Sequence, residues 1–271
     1  RLREENQVGI VHGPSRVLSE RFISGLPYQL TDAQRRAIED VVGDMGTSYP
    51  MQRLIQGEVG SGKTVVAVAA LLYAVEGGYQ TAVMAPTEVL AVQHFLGISD
   101  LFDQSHMTPP DMGPDASLGM GSLFGEAPDE PTVRMALLTG SQAMTNFDSG
   151  AGRPEIVEML ARGDIDIIVG THALIQDAVE FATLGMAVID EQHRFGAEQR
   201  NVLRQKGDSE TSPDLLIMTA TPIPRTLSMT LYGDLEETVI DELPPGRSPI
   251  QTRSVGRDQE IRVWDLVSEA V

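Results

Sequence analysis

A glycine-rich stretch has the residue types and the spacing that bind nucleotide phosphates in many proteins. It reads GEVGSGKT over residues 57–64 and satisfies the pattern G-x-x-x-x-G-K-[ST]. In that pattern the glycines let backbone N–H groups turn toward a phosphate, the lysine reaches the β- and γ-phosphates, and the last hydroxyl ligates Mg²⁺. The predicted nucleotide-binding residues are Gly57, Glu58, Val59, Gly60, Ser61, Gly62, Lys63, Thr64 and Val65. The alternative is a glycine-rich turn between a strand and a helix that binds no ligand.

Two acidic residues follow an apolar stretch and supply the carboxylates that a phosphate loop requires. The stretch GMAVIDE (185–191) ends in Asp190 and Glu191. Asp190 is predicted to hold Mg²⁺ together with Thr64. Glu191 is predicted to orient and deprotonate the attacking water, because splitting a phosphoanhydride depends mainly on positioning and charge stabilisation. With Lys63, these two acids form the predicted catalytic set, and the alternative is a solvated turn that carries two acids.

His193 follows this acidic pair and is interpreted as a coupling residue. The chain has five histidines, and none of their spacings matches a zinc-binding motif. We therefore expect His193 to form a hydrogen bond that senses the γ-phosphate. The alternative is an ordinary surface histidine.

The periodicity around these motifs predicts the elements that position them. Residues 31–45 carry apolar side chains at helical spacing, and Thr31 with Gln34 forms the pattern of a capping box. Downstream, short apolar runs alternate with helical segments such as 63–75 and 154–161. The predicted strands are 53–56, 81–85, 134–138, 165–170, 185–190 and 215–220. This alternation predicts an α/β fold, a mostly parallel sheet with helices on both faces, in which ligands bind beyond the carboxyl ends of the strands.

Three segments interrupt the alternation. Residues 1–28 show no clear period. Residues 97–132 contain five prolines, five glycines and seven carboxylates but no lysine or arginine. We predict that they form a surface insertion, mobile or weakly ordered. The prolines and glycine of ELPPGRSPI (242–250) predict a linker to a further unit.

The composition limits the class of protein. The 271 residues carry a formal net charge of -19, which argues against a basic clamp for nucleic acid, since phosphate contacts need lysine or arginine. The sequence has no cysteine, no signal-peptide pattern and no apolar run long enough to span a membrane. We therefore expect a cytoplasmic protein without disulfides.

Four motifs, in this order, resemble those of the superfamily-two nucleic-acid motors: GEVGSGKT (57–64), APTEVLAVQH (85–94), DEQH (190–193) and TATPIPRT (219–226). The sequence is most similar to the RecG family of bacterial branched-DNA translocases, through segments such as DIIVGTHALIQDAVEF and MTATPIPRTLSMTLYGDLE. These matches span roughly residues 30–247 apart from the insertion. The resemblance implies the first of two RecA-like P-loop NTPase lobes, with ATP and Mg²⁺ as cofactors and a bacterial cytoplasmic location.

The resemblance also assigns roles to residues outside the two candidate motifs. Gln34 matches the glutamine that reads the adenine base, in addition to its predicted capping role. The tracked DNA strand would be contacted through hydroxyls and backbone N–H groups, which need little net positive charge. The residues in question are Pro86, Thr87, Thr139, Gly140, Ser141, Thr171 and His172. Thr219, Thr221 and Arg225, with His193, would link the nucleotide state to the DNA side.

RecG-like proteins also contain a wedge domain and a second motor lobe. The resemblance implies these as partners within one parent chain, together with branched or forked DNA. Residues 1–28 would be a linker from the wedge region, 29–243 the first lobe with the insertion 97–132, and 244–271 a linker and the start of the second lobe. The second lobe would supply an arginine worth about 10³–10⁵ in rate, so we expect this chain alone to hydrolyse ATP hardly at all.

Two other functions fit the same motifs. A translocase resembling the transcription–repair coupling factor Mfd is the nearest rival, although that family usually has glutamate in place of Gln192 and lacks a segment like TLYGDL (230–235). A nucleotide-gated interaction module without motor activity would instead use the acidic surface for a protein partner. Fork unwinding without RNA polymerase would exclude the first, and loss of function after Glu191→Gln would exclude the second.

Overall fold

The structure is a computed structural model, and it describes residues 8–108, 132–148, 150–190, 203, 206, 211–221 and 235–242. These residues contain five α-helices, a 3₁₀ helix (His172–Ile175) and eight strands. The helices are α1 (Val17–Gly25), α2 (Asp32–Met45), α3 (Lys63–Glu76), α4 (Glu88–Gln104) and α5 (Arg153–Arg162). The strands are β1 (Gln52–Gly57), β2 (Gln80–Met84), β3 (Met135–Leu138), β4 (Ala143–Thr145), β5 (Ile167–Gly170), β6 (Leu184–Asp190), β7 (Asp214–Thr219) and β8 (Glu236–Ile240).

All of these strands form one sheet, in the order β4-β3-β5-β2-β6-β7-β1-β8. Every neighbouring pair is parallel except β3 and β4, which are antiparallel. The parallel strands therefore all end at one edge, which we call the carboxyl rim, and all begin at the opposite edge, the amino rim. Helices cover both faces, so the predicted fold class is confirmed.

Alternate residues of each inner strand belong to two separate cores. In β6, Met186 and Val188 pack in one cluster, and Ala187 and Ile189 pack in the other. The first cluster includes side chains of α1, α2, α3 and α4, and the second includes side chains of α5. A strand covered on both faces needs apolar residues at every position, which explains why these strands read as unbroken apolar runs.

The N-terminal segment packs into the lobe. The sequence shows no clear period in residues 1–28, but α1 lies there and buries Phe22 against Phe102 of α4, with the rings 6.3 Å apart. Ahead of α1, His12 is buried and its backbone N–H donates to Met45 O. The sequence carries no signal of α1 because contacts with distant residues, rather than a strong local period, stabilise this helix. The assignment of this segment to a linker from another domain stays a prediction.

Helix α4 extends into the segment that the sequence assigned to an insertion. That insertion was predicted to begin at residue 97, yet α4 ends at Gln104 and buries Ile98 and Phe102. The boundary was wrong because apolar residues four apart continue the packed face of a helix, whatever acids lie between them.

The described residues on either side of positions 109–131 lie next to each other. Met107 and Val133 are both buried, and the N–H of Val133 donates to Met107 O at 2.8 Å. Residues 109–131 of the predicted insertion lie outside the described residues.

The two edge strands were not predicted from the sequence. β4 is three residues long, and β8 has an alternating pattern in which Val239 is 51% exposed. Edge strands are often short or half solvated, so they lack the continuous apolar signal that revealed the inner strands.

The predicted C-terminal linker and second unit, residues 244–271, lie outside the described residues. Among the helices that the structure does describe, none has the length and apolar character needed to cross a bilayer. The structure therefore bears mainly on the predicted first lobe.

Candidate nucleotide-binding site

The phosphate loop connects the end of β1 to the start of α3, as the sequence predicted. β1 ends at Gly57 and α3 begins at Lys63, so the loop lies at the carboxyl rim beside the amino end of a helix. Gly60 and Gly62 have φ angles of 80° and 88°, a conformation that side chains disfavour. Backbone N–H groups at such a helix start attract anions.

At two positions of the loop, neighbouring atoms lie so close to the backbone that only glycine fits. A Cβ on Gly57 would lie 2.5 Å from Ser61 Oγ and 3.1 Å from Ile240 O. A Cβ on Gly62 would lie 2.1 Å from Nε2 of Gln34. These two glycines therefore let the loop fold closely against β8 and α2.

Gln34 has its predicted capping role and also supports the loop. Its Oε1 accepts from the Thr31 N–H at 2.9 Å, and Thr31 Oγ1 accepts from the Gln34 N–H at 3.2 Å, which completes the capping box. Its Nε2 donates to Ser61 O at 2.8 Å, and the residue is buried. Both ends of the amide are used within the protein, and the adenine-reading role stays a prediction.

The side chains of the loop differ in their surroundings. Nζ of Lys63 donates to the carbonyl oxygens of Gly57 at 2.7 Å and Glu58 at 3.0 Å, which holds the ammonium over the loop. Ser61 Oγ is buried and has no hydrogen-bond partner among the described residues, a costly situation unless a ligand or water satisfies it. Of the other predicted contacts, Glu58, Val59 and Gly60 are exposed, Thr64 is half-buried and Val65 is buried.

Asp190 ends β6 at the same rim. It pairs with Met218 of β7, and Met218 pairs in turn with Ile55 of β1, two residues before Gly57. Only β7 separates β6 from β1, so the backbones of Asp190 and β1 are about 10 Å apart, twice the strand spacing. The phosphate loop and the metal-holding candidate therefore meet at one edge of the sheet.

The carboxylate of Asp190 is held by a histidine of α4. Its Oδ2 lies 2.8 Å from Nε2 of His94, and the two side chains are 15% and 14% exposed. The sequence analysis missed His94, although its place at the end of the motif APTEVLAVQH was a signal.

Thr64 and Asp190 are the described residues that fit a Mg²⁺ ion at this rim. Mg²⁺ commonly takes one or two protein oxygens and completes its shell with phosphates and waters, so a hydroxyl and a carboxylate are suitable partners. Within the described ranges, no group of three or more His, Asp or Glu side chains is placed to hold a metal.

Hydrogen bonds connect the loop strand with the predicted coupling motif. Thr219 ends β7 and is buried, and its Oγ1 accepts from the Thr221 N–H at 3.2 Å. Nε2 of Gln56, which precedes the loop, donates to Thr221 O at 3.3 Å. The two threonines thus lie beside β1, and their coupling role stays a prediction.

The predicted DNA-contacting residues differ in accessibility. Gly140, Ser141 and His172 are exposed, whereas Thr139 is 0% and Thr171 is 2% exposed. The roles of all these residues in DNA contact stay predictions.

The start of α4 packs directly on the turn at residues 139–141. Thr87 caps the helix by accepting a backbone hydrogen bond at 3.3 Å, and Pro86 precedes it, half-buried. Ser141 donates to Glu88, and a Cβ on Gly140 would lie 2.7 Å from Glu88 Oε1. Two of the segments assigned to DNA contact are therefore in contact with each other.

Three predicted site residues, Glu191, His193 and Arg225, lie outside the described residues. The structure therefore places Lys63 and Asp190 of the predicted catalytic set without placing the general base. The roles of all five stay predictions.

A cavity of about 620 Å³ at the start of α2 was missed by the sequence analysis. Its lining includes Tyr28, Gln29, Leu30 and Arg35, the last of which follows Gln34. Burial raises the pKa of the Tyr28 phenol above its ordinary value. The signal that was overlooked is an aromatic residue three positions before Thr31, which starts a capping box in contact with the phosphate loop.

The family described as DEAD/DEAH box helicase matches residues 31–118 and 132–230 of the chain. RecG of Streptococcus pneumoniae serotype 4 is 43% identical over 97% of this chain and 34% of its own length. RecG of Mycobacterium tuberculosis H37Rv is 48% identical over 88% of this chain and 29% of its own length. The chain thus spans about a third of the length of these curated relatives.

Solved structures give the same result. RecG bound to a three-way DNA junction has a TM-score of 0.77 and 38% identity, covering 98% of this chain and 31% of that chain. The helicase MrfA bound to DNA has a TM-score of 0.58 and 18% identity, which shows a shared fold alone. The resemblance to RecG inferred from the motifs is confirmed.

Proposed function

The chain belongs to the DEAD/DEAH box helicase family, and from this premise we propose that it forms the first motor lobe of an ATP-dependent DNA translocase that remodels branched DNA. The observation that carries the proposal is the meeting of the phosphate loop and Asp190 at one rim, across a single intervening strand. A site of this kind holds a triphosphate and a divalent ion together, as phosphoryl transfer requires.

The nucleotide would be bound mainly by the start of α3. The backbone N–H groups around Gly60 and Gly62 would face the β-phosphate, and the Lys63 ammonium would exchange its carbonyl contacts for phosphate oxygens. The base would enter the cavity beside Tyr28, whose ring offers a stacking surface.

Magnesium would be held by Thr64 and Asp190 and would neutralise charge that develops on the phosphates. Glu191, the residue after Asp190, would orient and deprotonate the attacking water. Thr219 and Thr221, which contact the loop strand through Gln56, would report the state of the phosphates to the DNA side.

Branched or forked DNA is the substrate that the relatives favour, since one similar protein of known structure is described as bound to a three-way DNA junction. In this chain the exposed candidates for strand contact are Gly140, Ser141 and His172. Backbone and hydroxyl contacts of this kind position a strand without reading its sequence. They also suit a chain whose net charge is -19.

The domain assignment belongs to the same proposal. Residues 29–243 would be the first lobe, 1–28 would come from a wedge region, and 244–271 would lead into a second lobe. The second lobe would complete the catalytic site with an arginine, so the chain by itself would bind ATP–Mg²⁺ but turn it over slowly. The location would be the bacterial cytoplasm.

The test is unwinding of a synthetic fork by the full-length protein, without RNA polymerase, in comparison with Lys63→Ala. We expect the wild type to unwind the fork and Lys63→Ala to lose both unwinding and DNA-stimulated ATPase. Arg162→Ala, which removes an exposed cation of α5, is the matched control and should retain both. Unwinding that survives Lys63→Ala would refute the motor, and activity that appears only with RNA polymerase would favour an Mfd-like translocase.

A further inference from the structure

His94 lies on the packed face of α4 and contacts the candidate metal ligand. Ala91, Phe95 and Ile98 of the same helix are buried, and His94 shares their stripe because it is three residues from Ala91 and four from Ile98. Its Nε2 meets Oδ2 of Asp190 at 2.8 Å. The contact joins a helix on one face of the sheet to the carboxyl end of a central strand.

The first turn of the same helix contacts the turn at residues 139–141, which was assigned to DNA contact. Glu88, in the first turn of α4, accepts a hydrogen bond from Ser141. Glu88 and His94 are six residues apart, which corresponds to about 9 Å along a helix axis. One rigid element thus contacts an exposed candidate for strand binding and, less than two turns later, the carboxylate of the metal site.

A hydrogen-bond donor on a metal-binding carboxylate fixes its direction and leaves its other oxygen available. In the observed contact only Oδ2 of Asp190 faces His94. Partners of this kind orient the ligand, and their removal typically lowers metal affinity or activity by about 10–100-fold.

We propose that His94 is a positioning residue that aligns Asp190 for magnesium, and that α4 transmits strand engagement at residues 140–141 to this alignment. The proposal rests on the proposed nucleotide site. A strand that displaces Ser141 from Glu88 would shift α4, and His94 would move the carboxylate with it. The lobe would then bind magnesium–nucleotide differently with and without DNA.

The experiment measures nucleotide binding by the full-length protein with a non-hydrolysable ATP analogue, titrated with Mg²⁺, in the presence and absence of forked DNA. The variants are His94→Ala, His94→Gln, which keeps a donor at a similar reach, and Gln93→Ala as the matched control. Gln93 is the exposed neighbour on α4. Lys63→Ala shows separately whether the analogue uses the proposed site, and thermal unfolding checks that each variant is folded.

We expect His94→Ala to raise the Mg²⁺ concentration for half-maximal binding about 10–100-fold, to leave Mg²⁺-free binding unchanged and to abolish the effect of DNA. His94→Gln should recover part of the loss, and Gln93→Ala should match the wild type. The proposal is overturned if folded His94→Ala keeps the wild-type Mg²⁺ dependence or loses Mg²⁺-free binding equally. It is also overturned if His94→Gln is no better than His94→Ala. Binding that persists in Lys63→Ala would instead refute the proposed nucleotide site.

Discussion

The two rims of the sheet use polar residues in opposite ways. At the carboxyl rim, Ser61 and Thr171 have buried hydroxyls without a hydrogen-bond partner among the described residues. At the amino rim, both oxygens of the buried Asp214 carboxylate are engaged, one by the Met51 N–H at 2.6 Å and the other by His12 Nε2 at 3.0 Å. Nδ1 of His12 also lacks a partner among the described residues, so the rims differ in how their oxygen atoms are used. We expect the unpaired hydroxyls of the carboxyl rim to be available to a ligand, whereas the Asp214 carboxylate of the amino rim closes the fold.

The difference shows where stability and function are separated. Asp214 begins β7 and Met51 precedes β1, and the far ends of these two strands carry the predicted coupling motif and the phosphate loop. Because the Asp214 contacts fix the first ends of these strands, we expect that the residues at their far ends can bind a ligand and shift without destabilising the core. Substitutions at the amino rim should therefore change stability alone, and those at the carboxyl rim should change binding first.

The largest expected effect is at the amino rim. Asp214→Ala would leave two buried donors, on Met51 and His12, without an acceptor. Each such loss costs about 1–3 kcal/mol, so we expect the local free energy of unfolding to fall by roughly 2–6 kcal/mol. Hydrogen exchange of the β1 and β7 amides in the full-length protein measures it.

The control for this prediction is Asp164→Ala, which breaks an exposed ion pair with Arg162 and should cost little. Nucleotide affinity of the protein that remains folded should not change in either variant. If Asp214→Ala is fully folded and still binds nucleotide more weakly, the idea that the amino rim affects stability alone is wrong.

An intermediate effect is expected from two glycines that share a backbone conformation. Gly62 and Gly78 have φ angles of 88° and 83°, but a Cβ would meet Gln34 only at Gly62 and nothing within 4 Å at Gly78. Alanine at either position should cost about 1–2 kcal/mol of stability, because side chains disfavour this region. Only Gly62→Ala should also abolish nucleotide binding, measured by calorimetry, and equal binding by the two variants would contradict the role of the close contact.

A smaller effect separates the two functions of the capping box. Thr31→Ala should destabilise the start of α2 by about 1 kcal/mol and leave nucleotide affinity nearly unchanged, since the contact of Gln34 with Ser61 remains. Gln34→Ala should destabilise α2 by a similar amount, as measured by hydrogen exchange of its amides. It should also weaken nucleotide binding. Equal affinity in the two variants would show that Gln34 is a cap and nothing more.

The smallest effect concerns pH. Burial raises the pKa of the Asp214 carboxyl, although the hydrogen bonds from His12 and Met51 and the charge of His12 act to lower it, and Asp44 adds to the rise. Since the folded-state pKa lies above the unfolded value, folding gains stability as the pH falls through the folded pKa and loses it as the pH rises. The stability of the wild type relative to Asp214→Asn should therefore increase on acidification, and a difference that stays constant with pH would contradict the shift.

The sequence predicted which strands end at the phosphate loop and at Asp190, because the patterns that reveal them are local. A phosphate loop needs glycines, a lysine and a hydroxyl at fixed spacing, and the inner strands need unbroken apolar runs, so both appear in short windows. His94 and Asp214 could not be found in this way, since their partners lie 96 and 202 residues away in the chain. The helix α1 was missed for the same reason, because its burial depends on α3 and α4.

The hydrogen bond between Val133 and Met107 holds together two buried residues that are far apart in the sequence. When two residues are held together in this way, the length of chain between them has little effect on stability. Doubling the length of a flexible loop costs only about 0.6 kcal/mol in closure entropy. We therefore expect the chain between Met107 and Val133 to accept a fluorescent reporter or an affinity tag, because these two buried residues would stay in contact whatever was inserted between them.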